Sequence, residues 1–271
     1  MPDFTKSKKS LKSLFLDHRG KVADKWESYL HVYEDEFVKY RNTQYPILEI
    51  GVQNCGSLEI WAKYFNNSQK IIGVDILDEI KELQFEDKRV EVEICDATDL
   101  YLNYLNNFKR PIVIIDDASH KSSDIVKTFI TMFSHLRDGG VYVVEDLCCS
   151  YWAEFNEKLT LSSMSFFKSL TDIINFEHWN QIEKLKSYIG TTNLTNFEQM
   201  HTIMTTIKSV RFYNSMCFIE KYSQSSTNSI GKRVVTGDQV PLGLKAQNGQ
   251  SINDLSITHR DFEFDDSDLL K

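Results

Sequence analysis

Ile207-Lys-Ser-Val-Arg-Phe-Tyr213 and Ser215-Met-Cys-Phe-Ile-Glu-Lys221 are two strand-like runs that meet around Asn214. A connection this short joins antiparallel neighbours, so the two runs predict a hairpin. Everything upstream reads differently. The β-branched runs PILEI (46–50), KIIGVD (70–75), VEVEIC (90–95), PIVIIDD (111–117) and GVYVVED (140–146) alternate with helical patterns: SLEIWAKYF, ILDEIKEL, ATDLYLNYL, a stretch near 121–136 and another running to about 174. Strand and helix pairs repeating in this way imply parallel strands joined by right-handed crossovers, with helices on both faces. The expected fold is therefore α/β: a Rossmann-like, doubly wound, mostly parallel seven-stranded sheet that ends in an antiparallel hairpin.

Three segments follow from the same reading. Residues 1–45 hold a Lys- and Ser-rich start, expected to be a loosely docked arm, and an amphipathic helix in DKWESYLHVYEDEFVKYR, where Trp26, Tyr29, Leu30, Tyr33 and Phe37 form one stripe. Residues 46–222 form the sheet domain, and 223–271 are a polar, acidic tail. A formal charge of -8 argues against broad capture of nucleic acid. No apolar run approaches the roughly 20 residues of a membrane span, and the start lacks a secretory pattern, so a cytoplasmic location is expected. Five cysteines without a CxxC fit core thiols better than a disulfide framework or a zinc ribbon. Assembly into a homo-oligomer is left open.

An open parallel sheet places its ligand at the carboxyl ends of the strands. Glu49-Ile50-Gly51-Val52-Gln53-Asn54-Cys55-Gly56-Ser57 spans the first of these ends. Its glycine spacing lacks the middle glycine of a dinucleotide fingerprint. Glu49 would repel a pyrophosphate but suits a cationic ligand such as the ammonium and sulfonium groups of S-adenosylmethionine. Gly51, Gly56 and Ser57 are expected to shape that pocket. Asp75, 24 residues after Gly51, is placed to accept hydrogen bonds from ribose hydroxyls, and Asp96 lies where the adenine amino group would sit.

The fourth and fifth strands bring Asp116, Asp117, His120, Glu145 and Asp146 to the same edge. Carboxylates crowded in a cleft repel one another unless a cation offsets them. Asp117, Glu145 and Asp146 are hard oxygen ligands suited to Mg²⁺ or Mn²⁺. Asp116 would face the cofactor instead, because neighbouring side chains at a strand end point in opposite directions. His120 is the candidate general base.

The segments LEIGV, GSLEIW, IIGVDI, IIDDASH, LRDGGVYVVEDL, SYW and SVRFYNSMCFIEK together resemble the class I methyltransferases, in particular the metal-dependent sugar O-methyltransferases that act on macrolide deoxysugars. The resemblance covers roughly residues 24–222. It implies Asp117, Glu145 and Asp146 as the metal ligands, His120 as the base, and Tyr29 and Tyr33 at the cofactor pocket. It also implies a small-molecule acceptor, a sugar or sugar phosphate derivative. Departures occur at Ala118, at Asn54-Cys55 and at Cys148-Cys149, and these leave the acceptor open. Other acceptors fit the residues: a phosphoryl, phosphoramidate or other chelating oxygen. More remote readings are a nicotinamide-dependent sugar oxidoreductase or epimerase, and a non-catalytic subunit of the same fold.

Overall fold

Short apolar runs in the first half of the chain become parallel strands: β1 (Ile47–Ile50), β2 (Ile71–Asp75), β3 (Val90–Ile94), β4 (Val113–Asp116) and β5 (Val141–Val144). The hairpin runs become β6 (Ile207–Tyr213) and β7 (Met216–Lys221). The structure is a computed structural model and describes residues 9–99, 109–155, 157, 162–178, 203, 205–223, 228–237, 249–251 and 254. One seven-stranded sheet has the order β3-β2-β1-β4-β5-β7-β6, with β7 antiparallel to both its neighbours. This is the expected class I methyltransferase topology. The order reverses between β1 and β4, which opens a crevice at their carboxyl ends.

Alternation along each strand sorts the core into two layers. Leu48, Ile50, Ile114, Tyr142 and Val144 pack on one face beneath helices α4 (Ser122–Phe133) and α5 (Ser163–Ile173). Ile47, Val113, Ile115, Val141 and Val143 pack on the other, beneath α2 (Glu27–Phe37) and α3 (Gly56–Tyr64). Tyr29, Tyr33 and Phe37 of α2 are buried as the stripe predicts.

Two expectations are corrected. The start of the chain is firmly docked over its described part. Helix α1 (Leu11–Leu16) buries Leu11 completely, sets Phe15 edge-on against Trp61 with ring centroids 6.0 Å apart, and receives Glu34 at the backbone amide of Leu11 at 2.5 Å. These contacts come from a helix of only six residues, too short to show a repeating apolar stripe in the sequence. The ILDEIKEL pattern is a short 3-10 turn, Asp78–Glu82, in which Ile80 alone is buried, too little apolar surface to hold a full helix. The helix expected in ATDLYLNYL is described only at its start, a short 3-10 turn at Ala97–Asp99; the rest of it and most of the 223–271 tail lie outside the described residues. No helix among the described residues is long and apolar enough to cross a membrane.

Candidate active site

Parity and register assemble the site. Ile50 pairs with Asp116 and Asp116 with Val144, so one residue further along, Gly51, Asp117 and Glu145 lie in a single row across β1, β4 and β5. Glu49 sits one step below on the same face. Carboxylates at 49, 117 and 145 share the parity of Ile47, Ile115 and Val143, so all three turn toward the α2 layer. Glycine is required at position 51: its φ is +81°, and a Cβ there would lie 2.2 Å from the Asp117 carbonyl oxygen.

Into this acidic row the N-terminal segment inserts Lys25, whose side chain is 3% exposed. Its Nζ lies 2.8 Å from Glu145 Oε1 and 3.3 Å from Glu49 Oε1, and it donates a short hydrogen bond to Asp117 Oδ2. Burial alone would drive this amine down. The three carboxylates outweigh it and hold Lys25 well above the usual lysine value, so it is a fixed cation. Burial likewise raises Asp117, despite Lys25 beside it, and burial with the Asp117 charge pushes Glu145 up to about 8.

His120 approaches from beyond β4. Its Nε2 stands 3.8 Å from Asp146 Oδ2 and 4.0 Å from Asp117 Oδ1, with its ring edge-on to Phe155. Both His120 (φ 58°) and Asp146 (φ 52°) hold left-handed backbone, which costs an L-residue about 1–2 kcal/mol and aims both side chains across the strand ends. The other oxygen of Asp146, Oδ1, accepts from Tyr29 OH at 2.6 Å and from Trp26 Nε1 at 3.1 Å. Asp116, of opposite parity, is buried against α4, where it accepts from Tyr142 OH at 2.9 Å; burial pushes it up to about 7.

Among the described residues, two groups of three donors converge closely enough for one ion: Asp117 with His120 and Asp146, and Glu49 with Asp117 and Glu145. They share Asp117. The expected trio therefore straddles both groups, with Glu145 in the one that contains Lys25. A divalent cation fits the donor chemistry, because the ammonium of Lys25 meets three carboxylates with Asp146 beside them, and a further positive charge offsets the excess.

In front of this cluster lies a cavity of about 720 Å³. It is lined by the strand-end carboxylates Asp75, Asp96, Asp116, Asp117, Glu145 and Asp146, together with Gly51, His120 and the apolar Ile76, Leu77, Ala97 and Ile125. Asp75 Oδ2 accepts from the amides of Val52 and Gln53, both at 2.8 Å, and so fixes the loop after β1. Asp96 Oδ1 accepts from the Thr98 amide at 2.8 Å.

Five sequence-selected residues stand elsewhere. Glu49 is fully buried; Ser57 Oγ donates to its Oε2 at 2.5 Å, while Oε1 accepts no hydrogen bond and has only the ionic contact with Lys25. It shares the parity of Asp117 and Glu145 but lies one step below them, under the loop and away from the cavity. Ser57 is thereby turned inward. Gly56 serves close packing, since a Cβ would lie 2.2 Å from the Lys21 carbonyl oxygen. Tyr29 reaches Asp146 rather than lining the cavity, and Tyr33 OH donates to Glu145 Oε1. Sequence reasoning missed Lys25 and Trp26 as site residues. The available signal was a lysine set directly against the apolar stripe of α2, where a solvated charge would be out of place.

No family model matches the chain. An 8-demethyl-8-α-L-rhamnosyl tetracenomycin-C 2'-O-methyltransferase of Streptomyces olivaceus is 31% identical over 224 residues, 78% of this chain and 55% of that protein. The mycinamicin VI 2''-O-methyltransferase of Micromonospora griseorubida is 32% identical over 158 residues, 54% of this chain and 39% of that protein. Among solved structures, the MycE methyltransferase of mycinamycin biosynthesis, in complex with Mg and SAH, superposes with a TM-score of 0.66 at 24% identity, covering 83% of this chain and 55% of that one. The chain has the class I methyltransferase fold and is related to the deoxysugar O-methyltransferases. It spans about half the length of the curated relatives it matches. Within this fold the cavity occupies the switch point of the sheet, and the carboxylate and histidine cluster forms its inner wall.

Proposed function

We propose that this chain is an S-adenosylmethionine-dependent, divalent-cation-dependent O-methyltransferase that acts on a hydroxyl of a sugar carried by a small molecule. The observation that carries the reading is the meeting of His120 Nε2 with Asp117 and Asp146 on the wall of a cavity rimmed by Asp75 and Asp96. The related enzymes are named as methyltransferases of rhamnosyl and mycinamicin hydroxyls, which supports a deoxysugar acceptor.

S-adenosylmethionine supplies an already activated methyl group, and a divalent cation supplies positive charge that acidifies a nearby hydroxyl. Asp117 and Asp146, with Glu145 beside them, would hold the cation. Asp75 and Asp96 would bind the nucleoside, and the small residue at Gly51 lets the β1 and β4 loops close together beneath it. His120 accepts the acceptor proton at Nε2, while the neighbouring carboxylates stabilise the imidazolium that forms. Holding hydroxyl, base and methyl donor together accounts for much of the remaining acceleration.

The test is methyl transfer to a panel of deoxysugar glycosides, nucleotide sugars and sugar phosphates with Mg²⁺, with Mn²⁺ and with EDTA. Activity is expected to vanish in EDTA and to fall about 10²–10⁴-fold in His120→Ala. Full activity in both arms would overturn the mechanism, and no response to S-adenosylhomocysteine would overturn the cofactor.

A further inference from the structure

The contacts between the N-terminal segment and the three expected metal ligands share a pattern. Lys25 and Tyr33 reach Glu145 at Oε1, Lys25 reaches Asp117 at Oδ2, and Trp26 and Tyr29 both reach Asp146 at Oδ1. Every one of these contacts falls on a single oxygen of its carboxylate. For Asp117 and Asp146 the other oxygen, Oδ1 and Oδ2 respectively, is the one turned toward His120, at 4.0 and 3.8 Å. Trp26, Tyr29 and Tyr33 are spaced three and four apart, so they project from one side of α2 and its lead-in.

We propose that Trp26, Tyr29 and Tyr33, together with Lys25, are positioning residues that fix the rotation of Asp117, Glu145 and Asp146, so that one oxygen of each is held by the N-terminal segment and the other oxygens of Asp117 and Asp146 point toward His120, where they would be available to a cation. An unrestrained carboxylate turns about its terminal bond and presents either oxygen. Two donors on Oδ1 remove that freedom from Asp146. Trp and Tyr do so without adding charge, so they orient the ligand without repelling a cation, and Lys25 offsets the excess charge where the carboxylates crowd most. Hydrogen-bond partners of metal ligands commonly govern affinity as strongly as this requires.

The inference rests on the metal-dependent reading above, and its test separates the two. Mn²⁺ binding to the full chain is measured by electron paramagnetic resonance, and S-adenosylhomocysteine binding by calorimetry, for wild type, Trp26→Phe, Tyr29→Phe and the double variant. Trp26 is 59% exposed, so its variant folds even where a buried change does not. Tyr64→Phe, which removes a buried phenol bonded to Glu34 of α2 at 3.3 Å but touching none of the three carboxylates, is the control for general loosening of α2. The expected result is a Mn²⁺ Kd about 10–100-fold weaker in the double variant, an intermediate value in each single variant, and an unchanged value in Tyr64→Phe. S-adenosylhomocysteine affinity should stay within about twofold of wild type in Tyr29→Phe, whose hydroxyl serves Asp146 and whose side chain does not line the cavity. Unchanged Mn²⁺ affinity in Trp26→Phe and the double variant, or equal weakening in Tyr64→Phe, would overturn the positioning role. A wild type that binds no Mn²⁺ would overturn the metal-dependent reading itself.

Discussion

Replacing Lys25 with Met removes the one cation buried among Glu49, Asp117 and Glu145 while keeping a side chain of similar length. In the wild type the Lys25 side chain is 3% exposed, Glu49 is 0% and Glu145 1%, so water cannot substitute for the missing charge. Removing one partner of a buried ion pair costs about 3–5 kcal/mol, a large share of the roughly 5–15 kcal/mol that holds a domain together. Protonation offsets part of this loss. A carboxyl whose folded pKa is raised contributes stability that is present at low pH and lost as pH rises through the folded value. Glu145, already pushed up to about 8, and Asp117, raised by burial, rise further without Lys25. The deficit should therefore be small near pH 6 and approach the full value near pH 9. Urea unfolding of wild type and Lys25→Met, followed by circular dichroism across that range in EDTA and again in Mg²⁺, measures it. Added Mg²⁺ should stabilise the variant more than the wild type. A deficit below about 1 kcal/mol at pH 9, or one that does not change with pH, would refute the view of Lys25 as the fixed counter-charge.

Two further outcomes follow from single contacts. Gly51→Ala forces a Cβ to 2.2 Å from backbone at a φ of +81°, so it should abolish S-adenosylhomocysteine binding in calorimetry and destabilise the fold by more than about 1 kcal/mol in urea. Lys221 is buried at the end of α4, where it donates to the Leu136 carbonyl at 3.0 Å; burial pushes it down to about 8, well under an unfolded lysine. The unfolded chain then holds the extra proton between pH 8 and about 10.5, so wild-type stability should rise relative to Lys221→Met across that window, and a constant difference would contradict the assignment.

The sheet was legible because its signals are local. Strand runs, their alternation with helices and the turn around Asn214 are read within a few residues, and parity along β4 and β5 already separated Asp116 from Asp117. The convergence of Asp117, His120 and Asp146 follows from strand order and needed no further knowledge. Other roles depended on through-space partners that no local pattern encodes. Glu49 looked like a cofactor ligand because it ends a central strand, yet its parity places it under Ser57 and beside Lys25. Tyr29 was correctly assigned to a buried helix stripe, but its hydroxyl serves Asp146, 117 residues away. Leu11 and Phe15 were hidden for the opposite reason, since a helix of six residues is too short to display a repeating apolar stripe.

Helix α2 faces two ways. One side holds Glu145 and Asp146, and at its far end Glu36 receives a two-pronged contact from Arg211 of β6, with Nε at 2.7 Å and Nη2 at 2.6 Å, across 175 residues of chain. A nascent chain leaving the ribosome thus completes α2 early but cannot lock it until the hairpin has emerged. The strand that finishes the sheet also finishes the seating of the helix that shapes the carboxylate wall of the cavity. Folding should therefore pass through a late step in which core packing and site geometry mature together, and substitutions at Arg211 should delay recovery of cation binding after refolding more than they delay recovery of helix content.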